Sequence, residues 1–354
     1  MVATNLRGKD WLCEQDWSRH ELDTILDVGF DLKRRYAIGE QHELLRGQTL
    51  FMIFFNASLR TRNSFEAGMT QLGGHAHYLE PESIYRPTLA SEIPKGLEET
   101  RERISDTARV LDRMGNAIAI RIFGKPTGWM YGIGHKIIEE FAQYSKIPVI
   151  NMECDMYHPC QVMADLMAIK EHCGKFEGKK FVMSWAYCPS PWKPLAVPQS
   201  CVQGPTKMGM DVVLAYPKGF DLDPNVIENA KKNAEEFGGS FEISHDMKEA
   251  FEGADVVYPK SWTSMQFLPP RTKEPQFDEI KKLIEQHKDW ICDEEKMDLT
   301  KNGRGKYMHC LPADVGVEVT AEVIDGPNSI VWDEAENRLH AQKAIMALIM
   351  GGRP

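Results

Sequence analysis

Apolar residues along this chain switch period again and again. Short runs of strand length, at 50–55, 117–123, 148–152, 180–186, 211–215 and 255–258, are separated by stretches in which apolar residues return every third or fourth position. The runs predict strands, most of them apolar on both faces, and residues 75–79 add a short alternating one. The intervening stretches predict helices. Leu22, Ile25, Leu26 and Phe30 share one face behind Asp16 and Ser18 as caps, and Phe65, Met69 and Leu72 share another behind Ser58. Further helices are expected over 98–114, 135–144, from His158 through His172, and over 224–237, 247–251 and 277–289. A last one over 333–350 carries acids in its first turn and Leu339, Ala344, Ile345 and Leu348 on its apolar face. Strands alternating with helices in both halves predict an α/β protein with two doubly wound parallel sheets.

The polar residues that matter fall where strands end. Ser58, Arg60, Thr61 and Arg62 crowd the turn after the run 50–55. A helix start leaves N–H groups unpaired, its dipole favours an anion, and guanidinium groups add forked charged donors, so the pattern suits a phosphate. It equally suits an ordinary N-cap with two solvated arginines. Arg121 interrupts an apolar strand near its C-terminal end, which makes it an anion-site candidate, with a structural salt bridge as the alternative. His158 and Gln161 open a helix after another strand, at the rim where α/β sheets place ligands. Tyr307 to Asp314, YMHCLPAD, reads as a short strand and proline turn that exposes Cys310 and Leu311 at a sheet edge. The irregular span 80–96 is long enough to be functional.

Composition narrows the classes. The 354 residues suffice for two ordinary domains, and 42% hydrophobic with 27% charged residues is the balance of a water-soluble globular protein. A net charge of −10 without any basic stripe argues against nucleic acid. No apolar run reaches membrane-spanning length and the N-terminus lacks a secretory core, so a cytoplasmic protein is expected. The eight cysteines lack C-x-x-C spacing, against zinc and disulfides, and the glycine fingerprint of a dinucleotide site is missing.

Taken together, S-x-R-T-R, an arginine ending a strand, H-P-x-Q, H-C-L-P and E-N-R-L-H before a terminal helix resemble the aspartate/ornithine carbamoyltransferase family over essentially the whole chain. SLRTRNSFEAGMTQLGG, VINMEC and DEAENRLHAQKAIM look most like its N-acylornithine (acetyl or succinyl) branch. SWAYCPSPWKPLAVPQ, YPKSW and YMHCLPAD are similar to a catabolic branch of purine breakdown with ureido or oxamate products. The resemblance implies a carbamoyl-phosphate-binding domain over 1–152 plus 335–354 and an amino-substrate domain over 153–334. It also implies a trefoil knot threaded through the Pro-rich segment 188–198, and a homotrimer in which the loop 82–94 completes a neighbour's site. Residue by residue, Ser58, Leu59, Arg60, Thr61 and Arg62 would bind the phosphate of carbamoyl phosphate, and Arg121, His158 and Gln161 its carbonyl and amide. Cys310, Leu311 and Arg338 would close the site; Arg60, Arg121, His158 and Cys310 would be catalytic, with Cys310 a contact and not a nucleophile. Glu153 and Lys260 would meet the amine, and no metal or cofactor is implied.

The match departs at the acceptor. Where free-ornithine enzymes grip a zwitterion with S-M-G, this chain has Lys260, Ser261 and Trp262, better suited to an acylated or otherwise anionic acceptor. Arg86 falls where acetyl-accepting members carry a tryptophan and Leu89 where they carry an acid, so both are acceptor candidates; Arg86 suits a carboxylate or is a solvated loop residue. The expected reaction is carbamoyl transfer to an ornithine-like amine. The alternatives are a catabolic enzyme making carbamoyl phosphate, an ordinary ornithine enzyme, and a catalytically silent paralogue.

Overall fold

The computed structural model describes residues 5–81, 84, 87–89 and 102–351. Arg86 and most of the loop 82–94 lie outside them. The chain forms two compact units, one of Met1–Gly128, Gly132–Cys160 and Arg338–Pro354, the other of Trp129–Tyr131 and Gln161–Asn337.

In the first unit α1 (Arg19–Ala37) opens with a capping box, Ser18 and Glu21 each accepting from the other's backbone N–H. There follow β1 (Thr49–Phe54), α2 (Leu59–Gln71) and β2 (His75–Leu79). A two-residue pair, β3 (Pro87–Thr88) with β4 (Glu102–Arg103), leads into α3 (Ile104–Leu111). Then come β5 (Ala117–Ile122), α4 (Ile133–Tyr144) and β6 (Val149–Cys154). Among the described residues the sheet runs β2-β1-β5-β6, parallel at every pairing. Every residue of β5 and β6 is buried, as their continuous apolar runs require. From β1 the chain turns to β2 on one side and later to β5 on the other, so a switch point lies between β1 and β5.

The second unit takes most of α5 (Pro159–Cys173), then β7 (Lys180–Trp185), α6 (Ala196–Lys207), β8 (Asp211–Ala215), α7 (Pro224–Phe237), β9 (Ser240–Ser244), α8 (Met247–Phe251) and β10 (Val256–Lys260). It continues through α9 (Phe277–Ile284), α10 (Glu294–Asp298), β11 (Lys306–Tyr307) and α11 (Ala321–Ile324) into α12 (Val331–Met350), which passes to the first unit at Arg338. The sheet order is β11-β10-β7-β8-β9, again parallel, with its switch point between β7 and β10. The α/β class, two units and parallel sheets agree with the sequence reading.

Several elements differ from expectation, among them α10 and α11, which the sequence reading did not include. The helix expected over 98–114 spans only Ile104–Leu111, residues 90–101 being undescribed. The polar edge strand β9, SFEIS, was not foreseen because three of its five residues are exposed and none is buried. Nor was α6, which contains Pro198 and Pro205 and is nonetheless buried at all twelve positions. Pro198 sits in the first turn, where N–H groups have no helical partner to lose. Gly204 lets α6 approach α5 closely, since a Cβ there would collide with the Val162 side chain.

Burial pushes the thiols of Cys154, Cys160 and Cys201 up, that of Cys160 to about 12, and no disulfide joins the cysteines among the described residues. Among those residues no helix is long and apolar enough to cross a membrane, and no His/Cys/Asp/Glu group could hold a metal ion.

Candidate active site

In open α/β sheets the crevice outside the C-terminal strand ends at a switch point is the natural ligand site. In the first unit that place is held by the residues following β1 and β5. Asn56 bridges the two strand ends, its Nδ2 donating to Phe123 O (3.1 Å) and its Oδ1 accepting from Phe123 N–H (2.9 Å). A cavity of about 640 Å³ lies there, lined by Phe55, Asn56, Ala57, Phe123, Lys125 and Pro126 among others. Ser58 caps α2, its Oγ accepting from Thr61 N–H at 3.2 Å. Thr61 is buried, and its Oγ1 accepts from Arg338 Nη2 at 3.1 Å, which joins the helix start to α12. Arg60 is half-buried in the first turn, while Leu59 is 74% exposed. Arg62 pairs with Glu66 (3.0 Å) and lies 3.7 Å over the Tyr78 ring.

Arg121 is buried at the end of β5, where the pairing with β6 shifts register between Ile120 and Arg121. That slip brings Arg121 opposite Glu153, and the two form a buried ion pair through Arg121 Nη1 and Glu153 Oε2. His158, immediately before Pro159 at the start of α5, places Nε2 3.4 Å from the same carboxylate oxygen. The salt-bridge alternative is therefore present, yet it leaves Arg121 Nε buried without a hydrogen-bond partner among the described residues. Glu153, expected at the amine, is the counter-charge of Arg121 here. Leu89, the other acceptor candidate, packs in the apolar cluster with Ile104, Ala108 and Ile118 and is 1% exposed.

In the second unit the switch point is flanked by the segment after β7 and by Lys260, Ser261 and Trp262 after β10. Lys260 is buried and donates to Ser261 O at 3.0 Å. Ser261 donates its N–H (2.8 Å) and hydroxyl (2.5 Å) to Glu318 Oε1, and Asp314 N–H donates to Glu318 Oε2 at 2.8 Å. Burial opposes ionisation of Glu318, but His309, Lys260 and Lys193 outweigh it and hold the carboxyl well below the usual range. His309 Nδ1 accepts from Leu311 N–H at 2.9 Å, so its proton is on Nε2, 3.5 Å from Glu318. Burial keeps that imidazole neutral by pushing its pKa down. Lys193, from the Pro-rich segment, pairs with Asp314 at 2.6 Å. Cys310 and Leu311 are half-buried just beyond the edge strand β11, Leu311 with φ 54°, an uncommon backbone for a branched residue. Gln161 is buried, and its Nε2 donates to Asp165 (2.8 Å) and Glu334 (3.0 Å).

Sequence reasoning missed Asn56, Lys193, Asp314, Glu318, Asp165 and Glu334. Only the Pro-rich context of Lys193 carried any signal; Asn56, Glu318 and Glu334 act through partners distant in sequence, and Asp165 and Asp314, though each also bonds a residue four away, look like ordinary solvated acids.

Comparison with known proteins follows the same division. Residues 9–171 match the aspartate/ornithine carbamoyltransferase carbamoyl-P binding domain and residues 195–349 the Asp/Orn binding domain of that family. The chain is 42% identical over 353 residues to the ornithine carbamoyltransferase of Pyrococcus abyssi, covering 99% of this chain and 98% of that protein. It is 43% identical over 346 residues to the N-acetylornithine carbamoyltransferase of Xanthomonas campestris pv. campestris, covering 97% and 98%. Acetylornithine transcarbamylase crystallised with acetylcitrulline superposes with a TM-score of 0.88 at 40% identity, covering 98% of this chain and 100% of that one. Ornithine carbamoyltransferase from Pyrococcus furiosus gives 0.82 at 41% identity with both chains fully covered. With two parallel-sheet units, strand-end arginines at the first switch point and both domain matches in place, the chain belongs to the aspartate/ornithine carbamoyltransferase family.

Proposed function

We propose that the first unit binds carbamoyl phosphate and that the enzyme transfers its carbamoyl group to the side-chain amine of an acylated or otherwise anionic ornithine-like acceptor. The observation that carries the donor half is the buried Arg121, aimed by Glu153 and holding an unpartnered Nε beside the Ser58-capped helix start. Arg60, Thr61 and the helix N–H groups with Ser58 take the phosphate, and Arg121 and His158 the carbonyl oxygen. As an unprotonated amine attacks, negative charge grows on that oxygen and then on the leaving phosphate. Fixed cationic donors stabilise both without reorganising at the moment of reaction. Arg338 supports the helix start through Thr61.

On the acceptor side the reading rests on Lys260, a buried cation at the second switch point. It suits a carboxylate on the acceptor, with Glu318 holding the turn through Ser261. Leu89, the other acceptor candidate, lies in the apolar core of the first unit. Variants of N-acetyl-L-ornithine transcarbamylase solved with carbamyl phosphate and N-succinyl-L-norvaline, at TM-scores of 0.88, support acyl acceptors as a class. The identity to ornithine carbamoyltransferases of Pyrococcus favours free ornithine as the second reading. Carbamoylation assays with ornithine, N-acetylornithine, N-succinylornithine, putrescine, lysine and oxamate decide between them. Turnover is expected with an N-acylornithine and little with ornithine; turnover confined to free ornithine overturns the acylated assignment, and a preference for oxamate moves the enzyme to the catabolic branch.

The same reading includes a homotrimer with shared sites. Light scattering on the eluted protein is expected to return about three chain masses of 40.3 kDa, and a monomer that is fully active removes site sharing.

A further inference from the structure

Inside the first unit, α2 meets the later part of α12 along a buried polar seam, of which the donor assignment uses only the first bond. Thr61, Ser64, Gly68 and Gln71 recur at helical spacing and share one face of α2. Against them α12 sets Arg338, Gln342 and Lys343, 2%, 0% and 0% exposed. At the start of α2, Arg338 Nη2 donates to Thr61 Oγ1. One turn on, the Gln342 amide nitrogen donates to Ser64 Oγ and to Arg338 O (2.9 Å), and its oxygen accepts from Arg338 Nη2 (3.0 Å). A Cβ on Gly68 would come within 3.0 Å of Met346 Cε and 3.3 Å of Lys343 Cγ, so α12 lies directly on the α2 backbone. At the last residue of α2, Lys343 Nζ donates to Gln71 Oε1 at 2.8 Å and to His42 Nε2 at 3.1 Å. His42 Nδ1–H donates to Glu40 O (2.8 Å), which leaves Nε2 as the acceptor that an ammonium requires. Among the described residues Lys343 has no carboxylate partner, and its other contact is the Tyr36 ring, 5.2 Å from Nζ to centroid. Burial pushes its ammonium down to about 8. A cation held in the interior without a counter-charge lowers stability, so packing alone gives no reason for it.

We propose that this seam sets the register of α2, and that Lys343 is a positioning residue for the phosphate-binding turn, acting through Gln71 and the helix between them. Phe65 and Met69, the fully buried apolar residues of α2, hold it by contacts that have no direction along the helix axis. Hydrogen bonds do have direction. With its first turn and its last residue both tied to α12, α2 can neither slide nor rotate without breaking one of those ties. Fixing register is the best-attested use of buried polar groups. What the seam places is the other end of the same helix, the N–H groups behind Ser58 and the Arg60 side chain. A displacement of about 1 Å there would weaken every bond to a bound phosphate together, because all of them leave one helical turn. Lys343 and Gln71 touch no substrate in this scheme, which rests on carbamoyl phosphate being the donor.

The test compares the full-length enzyme with Lys343→Met, Gln71→Met and the double variant. Each single change is expected to raise KM for carbamoyl phosphate about tenfold, with kcat within about threefold of wild type. Both cut the same bond, so the double variant should also lose about tenfold, not the hundredfold of independent effects. It removes the buried ammonium together with an acceptor, and its melting temperature should stay within a few degrees of wild type or rise. Without substrate, hydrogen exchange of the α2 backbone should speed up in all three variants relative to the strands of the same unit. Unchanged KM in Lys343→Met, losses that multiply in the double variant, or losses that follow the melting temperature overturn the positioning role. If Lys343→Met does not fold, Gln71→Met, changed at the half-buried end of the seam, carries the test through its KM and its exchange. Wild-type protein that binds no carbamoyl phosphate overturns the donor assignment instead. Exchange, read without substrate, still judges the seam, and unaltered exchange overturns it.

Discussion

Replacing Arg121 with Met is expected to lower kcat/KM for carbamoyl transfer by about a hundredfold to a thousandfold, the usual effect of deleting one preorganised oxyanion donor. The same change strands Glu153, whose side chain is 7% exposed, as an uncompensated buried charge, and should cost about 3–5 kcal/mol of stability. The two losses are separable. In the double variant Arg121→Met, Glu153→Gln the orphaned charge is gone, so urea unfolding should recover most of the stability while the kinetics stay poor. A double variant that regained activity along with stability would reduce Arg121 to one half of a structural salt bridge.

Arg60→Ala should behave differently, because Arg60 is half-buried in the first turn of α2. Turnover is expected to fall about a hundredfold or more through loss of a donor to the leaving phosphate, with stability changed by about 1 kcal/mol at most. The rise in melting temperature that carbamoyl phosphate gives the wild type by binding the native state should shrink sharply in the variant. Near-native activity with a lowered melting temperature would make the arginine structural and remove the phosphate assignment.

The proposed donor half of the site stood out in sequence because its parts are local. Ser58, Arg60 and Thr61 sit in one helical turn, and the apolar run before them and the Phe65, Met69 and Leu72 face after them mark where strand ends and helix begins. Arg121 was conspicuous as a charge in an apolar strand, but its partner was not, since the pairing with Glu153 depends on a register shift between two strands. Glu318, Asp165 and Glu334 were invisible for a similar reason. Each bonds across long separations, Glu318 to Ser261 over 57 residues and Glu334 to Gln161 over 173. Nothing in the neighbouring sequence distinguishes them from solvated acids. The helix α6 was hidden by its own prolines, Pro198 in the first turn, where no helical N–H is lost, and Pro205 inside the helix, where one is. Switch points belong to topology: strand order decides that the loops after β1, β5, β7 and β10 are the ones that matter.

The bond from Arg338 to Thr61 spans 277 residues, and the first unit is completed only by the segment that begins with that arginine. During synthesis the ribosome must therefore deliver all of residues 161–337 before the helix start at Ser58 receives its last support. Apart from the three residues 129–131, the second unit is continuous in the chain, so it is the one able to fold to completion first. Vectorial folding usually favours the N-terminal domain. Here the proposed phosphate cradle is written early and finished late, waiting half-built while the other unit matures.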